Sequence, residues 1–117
     1  MKILSWNCRG LGNAPAVRAL LDVQRRCSPD VVFLSETHLD SYPAECLRRR
    51  TKMDQKLVCT SNGRSGGLVL FWNNHINVRR IALDTMFIDV IIEDNSNDPV
   101  WRLTGIYGEF RWENKHL

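Results

Sequence analysis

The sequence predicts a layered α/β protein, and three observations carry that prediction. Val31-Val32-Phe33-Leu34 is an unbroken apolar run, the pattern of a strand covered on both faces. Ahead of it, Val17, Leu20, Leu21 and Cys27 recur at roughly helical spacing. Beyond it, segments rich in β-branched and aromatic residues alternate with Gly, Asn and Asp clusters.

Taken in order, Lys2 to Asn7 is short and mostly apolar and reads as the first strand. Cys8-Arg9-Gly10-Leu11-Gly12 then forms a loop whose glycines permit a tight turn. Asn13 can cap a helix with Pro15 in its first turn, and Ser28-Pro29-Asp30 stops it. The buried strand Val31 to Leu34 follows, with Ser35-Glu36-Thr37-His38 at its lip, where an open α/β sheet holds a residue rigidly while its tip stays wet. Pro43 to Met53 reads as a short helix whose Arg48-Arg49-Arg50 run is a solvated face. The remaining strands are Lys56 to Thr60, Gly67 to Trp72, Ile76 to Ile81, Met86 to Ile92 and Val100 to Tyr107. Ser61 to Gly67 has glycines but lacks the Gly-Lys-Ser/Thr ending of a phosphate loop and enters a strand, so it reads as a turn. Asp94 to Asp98 reads as a hairpin tip.

With 117 residues, 44% hydrophobic and 25% charged, one globular domain is the ceiling, and disordered, collagenous and membrane classes are excluded. No apolar run approaches the ~20 residues of a membrane span, and the opening has too short an apolar stretch for a signal peptide. An intracellular, non-secreted protein is expected. Cys8, Cys27, Cys46 and Cys59 are widely spaced with no C-x-x-C pair, so buried free thiols are expected instead of a zinc site or disulfide framework. The net charge of +3 suits a polyanionic partner without requiring one.

Chemistry concentrates in three pieces: Ser5-Trp6-Asn7-Cys8-Arg9-Gly10, Ser35-Glu36-Thr37-His38, and Thr104-Gly105-Ile106-Tyr107. In this order and these settings they resemble the endonuclease/exonuclease/phosphatase superfamily, the DNase I-like fold. With Gly66-Gly67-Leu68-Val69-Leu70-Phe71-Trp72 and Trp101 to Gly108, the chain is most similar to the endonuclease domain of plant LINE-type (non-LTR) retrotransposons, over essentially its whole length. The resemblance implies a partial four-layer αββα sandwich spanning 1–117, the N-terminal half of a domain whose C-terminal half is absent.

The resemblance also implies that Glu36 ligates Mg²⁺, and the chemistry agrees, because magnesium accepts one or two carboxylates and fills its shell with waters and a substrate phosphate. By the same resemblance Asn7 sits beside the ligand, where an amide orients groups without adding charge, and Tyr107 donates a hydrogen bond to a phosphate oxygen. DNA is the implied partner and the nucleus the implied compartment. The residues alone permit blander readings: a solvated strand-end carboxylate for Glu36, an Asx turn for Asn7, a core tyrosine for Tyr107. His38 matches no base of the family and reads as a surface histidine.

A working site of this kind also carries, by resemblance, a Gly-Asp-Phe-Asn segment, a further aspartate and a closing Asp-His motif. No Asp here has Asn two residues later, and no Asp-His pair exists. A positioned general base contributes about 10²- to 10⁴-fold, so hydrolysis by this chain alone is not expected. Abasic-site endonucleases carry an acidic residue near the position of Arg9, which weighs against that subgroup, and Phe110 stands where related elements have proline.

Half of a two-sheet sandwich is expected to leave one inner sheet face uncovered. Some 500 Å² of wet apolar surface would forgo about 12 kcal/mol, comparable to a whole domain's stability, so self-association through that face is expected. Arg111 to Leu117 reads as the start of a further helix in a truncated reading frame. The competing reading is a non-catalytic piece that binds nucleic acid or a complementary half-domain. A small-ester phosphatase shares Glu36 but fits the loops less well.

Overall fold

The computed structural model of the chain describes residues 1–60, 67–84, 87–94 and 100–106 in full and the backbone of 109–115. Its elements are β1 (Ile3–Asn7), α1 (Ala14–Cys27), β2 (Val31–Ser35), α2 (Ser41–Thr51), β3 (Gln55–Cys59), β4 (Leu68–Trp72), β5 (Ile76–Leu83), β6 (Phe87–Asp94), β7 (Val100–Ile106) and β8 (Glu109–Lys115). The strands make two four-stranded sheets, ordered β1-β2-β4-β3 and β5-β6-β7-β8. The α/β class read from the sequence is the class observed.

The first strand–helix–strand unit forms as its sequence dictates. Asn13 is extended, and its Oδ1 accepts the Ala16 amide at 2.8 Å, with Pro15 in the first turn. Ser28 ends α1 in the left-handed conformation with its amide bonded to the Gln24 carbonyl. The helix crossover lets β1 and β2 pair in parallel, Asn7 opposite Ser35. β2 is buried at every position because it is covered twice. Val32 and Leu34 join Leu20, Leu21, Ala44 and Leu47 under the two helices, while Val31 and Phe33 join Leu57, Leu68 and Leu70 against the second sheet.

From that second sheet, Ile88, Val90, Ile92 and Leu103 complete the inter-sheet core. Gly105 comes so close to Phe33 that a Cβ added there would lie 2.3 Å from the ring. The expectation of an uncovered inner face is therefore corrected: each sheet covers the inner face of the other, because β5 to β8 already form a complete facing layer. The face on which no described helix packs is the outer face of β5-β6-β7-β8. It carries Asp89, Ile91, Arg102 and Thr104, the positions alternating with the core set. Asp89 is buried there because Arg102 grips it through Nε at 3.0 Å and Nη2 at 2.5 Å and Thr104 Oγ1 donates at 3.2 Å.

Other expectations shift in detail. The helix expected from Arg111 is instead strand β8, antiparallel to β7. Phe110 and Trp112 stand two apart, a strand period, and the free edge of β7 supplies hydrogen-bond partners that an isolated helical start would lack. β5 runs on to Leu83 through an irregularity between Arg80 and Ala82. Arg48 is not a solvated member of its run. It bonds both Glu45 carboxylate oxygens at 2.7 Å and the Met53 carbonyl at 2.8 Å, and Lys56 reaches Glu45 from β3 at 2.8 Å. All four cysteines are free, but only Cys8 and Cys59 are buried and Cys27 is exposed. The proposed turn at 61–66 and most of the 94–98 tip lie outside the described residues, as does Tyr107. No described helix is long and apolar enough to cross a membrane.

Candidate functional site

Parallel pairing of β1 and β2 delivers Asn7 and Glu36 to the same end of one sheet, on adjoining strands. The loops beyond them are zipped together by backbone bonds: Cys8 N–H to Ser35 O (2.9 Å), Gly10 N–H to Glu36 O (2.7 Å) and Leu11 N–H to Thr37 O (3.1 Å). On the other side of β2, Thr37 N–H donates to Gly67 O at 3.2 Å, just before β4. Glu36 is thus fixed through its backbone from two neighbouring strands while its side chain is half-buried at the rim.

This register demands unusual backbone. Arg9, Glu36 and His38 all have positive φ (50°, 51° and 55°), as does Gly10 at 90°. Non-glycine residues in this region cost of order 1–3 kcal/mol each, and the surrounding bonds must hold them there. Gly10 and Gly67 are required for contact as well as conformation. A Cβ on Gly10 would lie 3.0 Å from His38 Nδ1, and one on Gly67 would lie 2.6 Å from Thr37 Oγ1. Thr37 is fully buried and its Oγ1 accepts the Leu39 amide at 3.2 Å.

Asn7 makes the Asx contact that its sequence position allows, its Oδ1 accepting the Arg9 amide at 3.3 Å. That contact occupies the carbonyl oxygen and leaves the amide N–H₂ directed to other partners. The Glu36 carboxylate has no hydrogen bond or ion pair among the described residues. Its charge reaches the Cys8 thiol beneath it, which burial first and Glu36 second push up to about 12, so Cys8 is a neutral packing residue and no nucleophile. His38 is exposed with its ring against Gly10. Among the described residues no group of three or more His, Cys, Asp or Glu side chains is placed to hold a metal.

The structure therefore brings Asn7 and Glu36 together. Gly105, near the C-terminal end of β7, abuts Phe33 of β2, and Tyr107 itself is outside the described residues. Thr37 and Gly67 were missed as supporting positions. The one available signal was the glycine opening the next apolar strand.

A model of the endonuclease/exonuclease/phosphatase family matches residues 4–113. The chain belongs to that family. Solved structures agree on the fold. An AP endonuclease from Leishmania major is similar with 21% identity and TM-score 0.56, covering 91% of this chain and 39% of its own. A humanised D. rerio TDP2 is similar with 20% identity and TM-score 0.54, covering 96% and 47%. D. rerio TDP2 complexed with a single-strand DNA product has 19% identity and TM-score 0.51, covering 96% and 43%. The chain spans less than half the length of each of these structures, and its two sheets and two helices are part of the DNase I-like α/β sandwich. No curated protein matches it.

Proposed function

We propose that this chain is the metal-side part of a Mg²⁺-dependent DNA endonuclease domain of LINE-type origin, and that these 117 residues bind metal and phosphate without completing hydrolysis. One observation carries the reading: the Glu36 carboxylate stands at the rim with no described protein partner, beside the Asn7 amide, on loops held in strained backbone. The donor set fits magnesium, which takes one or two carboxylates and keeps the rest of its shell for water and phosphate. It does not fit a closed zinc site, which needs three or four nitrogen and sulfur ligands.

A bound Mg²⁺ supplies Lewis-acid polarisation of a phosphoryl oxygen. Glu36 offers the hard oxygens that would hold it. Asn7, with Oδ1 engaged by Arg9, would offer its N–H₂ to a non-bridging phosphate oxygen, and by family likeness Tyr107 would supply a phenol donor. His38 serves no base role in this reading. DNA as substrate rests on family likeness and on the neighbour solved with a single-strand DNA product, and the nucleus as compartment on family likeness alone.

The test has two readouts. Mn²⁺, added as a paramagnetic substitute for Mg²⁺, is expected to broaden amide resonances of the 7–10 and 35–38 loops, and Glu36→Ala to abolish the effect. Supercoiled plasmid incubated with Mg²⁺ and the chain is expected to stay intact. Nicking that disappears in Glu36→Ala would overturn the proposed inactivity, and broadening that persists in that variant would overturn the ligand assignment.

A further inference from the structure

A second surface, on the helix layer and away from Glu36, carries a pattern that the proposed site does not use. A pocket of about 370 Å³ lies where the C-terminal ends of α1 and α2 meet the turn before β5. Arg25, Arg50 and Lys52 line it, and among the described residues no acidic side chain does. None of these three cations has a described hydrogen-bond or ion-pair partner. The acids of the two helices are engaged elsewhere, Asp22 by Arg26 and Glu45 by Arg48, Arg49 and Lys56.

The carbonyls that a helix end would point at an anion are largely consumed. Ser28 caps Gln24 O, Lys52 caps Arg49 O, and the Thr51 hydroxyl bonds Arg48 O at 2.6 Å. In the wall, Gln24 Nε2 donates to Thr51 O at 3.2 Å while its Oε1 is buried without a partner. That oxygen is an acceptor that a bare phosphate cannot satisfy. A ligand that carries hydroxyl or N–H groups as well as phosphate can.

Arg50 also lines a neighbouring pocket of about 310 Å³ between α1 and α2, whose character is the opposite. Leu11, Leu39, Leu47 and Pro43 make it apolar, and Tyr42 beside it is 77% exposed. A basic pocket and an apolar pocket with an open aromatic ring, sharing one arginine, match the two halves of a nucleotide.

We propose that the α1–α2 face binds nucleotide units of single-stranded nucleic acid, with phosphate among Arg25, Arg50 and Lys52 and a base in the apolar pocket against Tyr42. The track leads toward Leu11 and Leu39, which belong to the loops that carry Asn7 and Glu36. It goes beyond the proposed metal site and does not depend on it.

The test titrates the full chain with a short oligouridylate, whose 2′-hydroxyls can donate to Gln24 Oε1, with uridine 5′-monophosphate and with inorganic phosphate, read by fluorescence anisotropy or by NMR. The oligonucleotide is expected to bind, shifting the Gln24 side-chain amide and the Tyr42 ring. Arg50→Gln with Lys52→Asn is expected to weaken it at least tenfold and to lower the log–log salt slope by about 1.4, since each phosphate contact contributes about 0.7 for single strands. Arg25→Gln checks the α1 side of the pocket, and Tyr42→Ala is expected to weaken binding at least fivefold with an unchanged salt slope. Both sites are exposed, so folding is retained. The same titration in EDTA without Mg²⁺ is expected to give the same affinity, which separates this binding from the metal site. Monophosphate binding comparable to the oligonucleotide's would replace the strand with a free nucleotide and overturn the strand assignment. Oligonucleotide affinity that survives both the charge variants and Tyr42→Ala would overturn the site altogether.

Discussion

The two central strands, β2 and β6, are nearly equally buried for different reasons. β2 lies between layers, with Val32 and Leu34 under the helices and Val31 and Phe33 against the other sheet. β6 has one face in that same inter-sheet core, through Ile88, Val90 and Ile92. Its other face is covered by side chains of the neighbouring strand, with Arg102 and Thr104 closing over Asp89. Burial by a packed layer excludes water and charge. Burial by a cross-strand arginine accepts a carboxylate, because the ion pair stays at the edge of solvent with Arg102 37% exposed.

The strongest way to break this comparison is to place the same charge on each strand's outer side. Val32→Asp is expected to cost more than about 4 kcal/mol and to leave the chain largely unfolded, since the carboxylate would sit unpaired under Leu20 and Leu47. Ile91→Asp is expected to cost only about 1.5–3 kcal/mol, the lost burial, because its side chain can turn to water. Urea unfolding followed by circular dichroism measures both, and equal losses would mean that a further layer covers β6.

A smaller effect tests where the two sheets meet. Gly105→Ala is expected to cost about 1–3 kcal/mol, because its methyl would lie 2.3 Å from the Phe33 ring. Phe33→Leu alone is destabilising, yet combined with Gly105→Ala it is expected to cost less than the sum of the two. Additive losses in thermal melts of the double variant would deny the contact.

The smallest effect concerns the layer over β2 alone. Hydrogen bonds from Arg48 and then Lys56 hold the Glu45 carboxyl well below the usual carboxylate range. A depressed value means that the pair stabilises the fold above a normal carboxylate pKa of about 4 and loses that contribution as pH falls below it toward the folded-state value. Protection of α2 amides, corrected for the pH dependence of intrinsic exchange, is expected to fall at pH 3 before that of β6, and Glu45→Gln to remove the difference in protection between pH 3 and pH 6. Exposure to solvent keeps this effect small.

Much of this was legible beforehand. The apolar run at 31–34, the Asn13 cap and the Glu36 position at a strand end were each read from local chemistry and stand where expected. The reading failed where partners decide. Arg111 to Leu117 looked like a helix start because its composition is ambiguous over so short a stretch, and the free edge of β7 made Glu109–Lys115 a strand. Arg48 looked solvated until its helix neighbour Glu45 proved to hold it and the turn between α2 and β3 brought the Met53 carbonyl to it and Lys56 to Glu45.

By itself, then, the sequence determined periodicity, caps and the residue types at the strand ends, because these depend on neighbours within a few positions along the chain. The tertiary structure decided that the two sheets cover one another and that Gly67, at the start of the adjoining strand, holds Thr37 and with it the Glu36 loop. It also decided that three distant cations share one pocket. Those relations join residues up to about a hundred positions apart, and only the crossing of chains in space sets them.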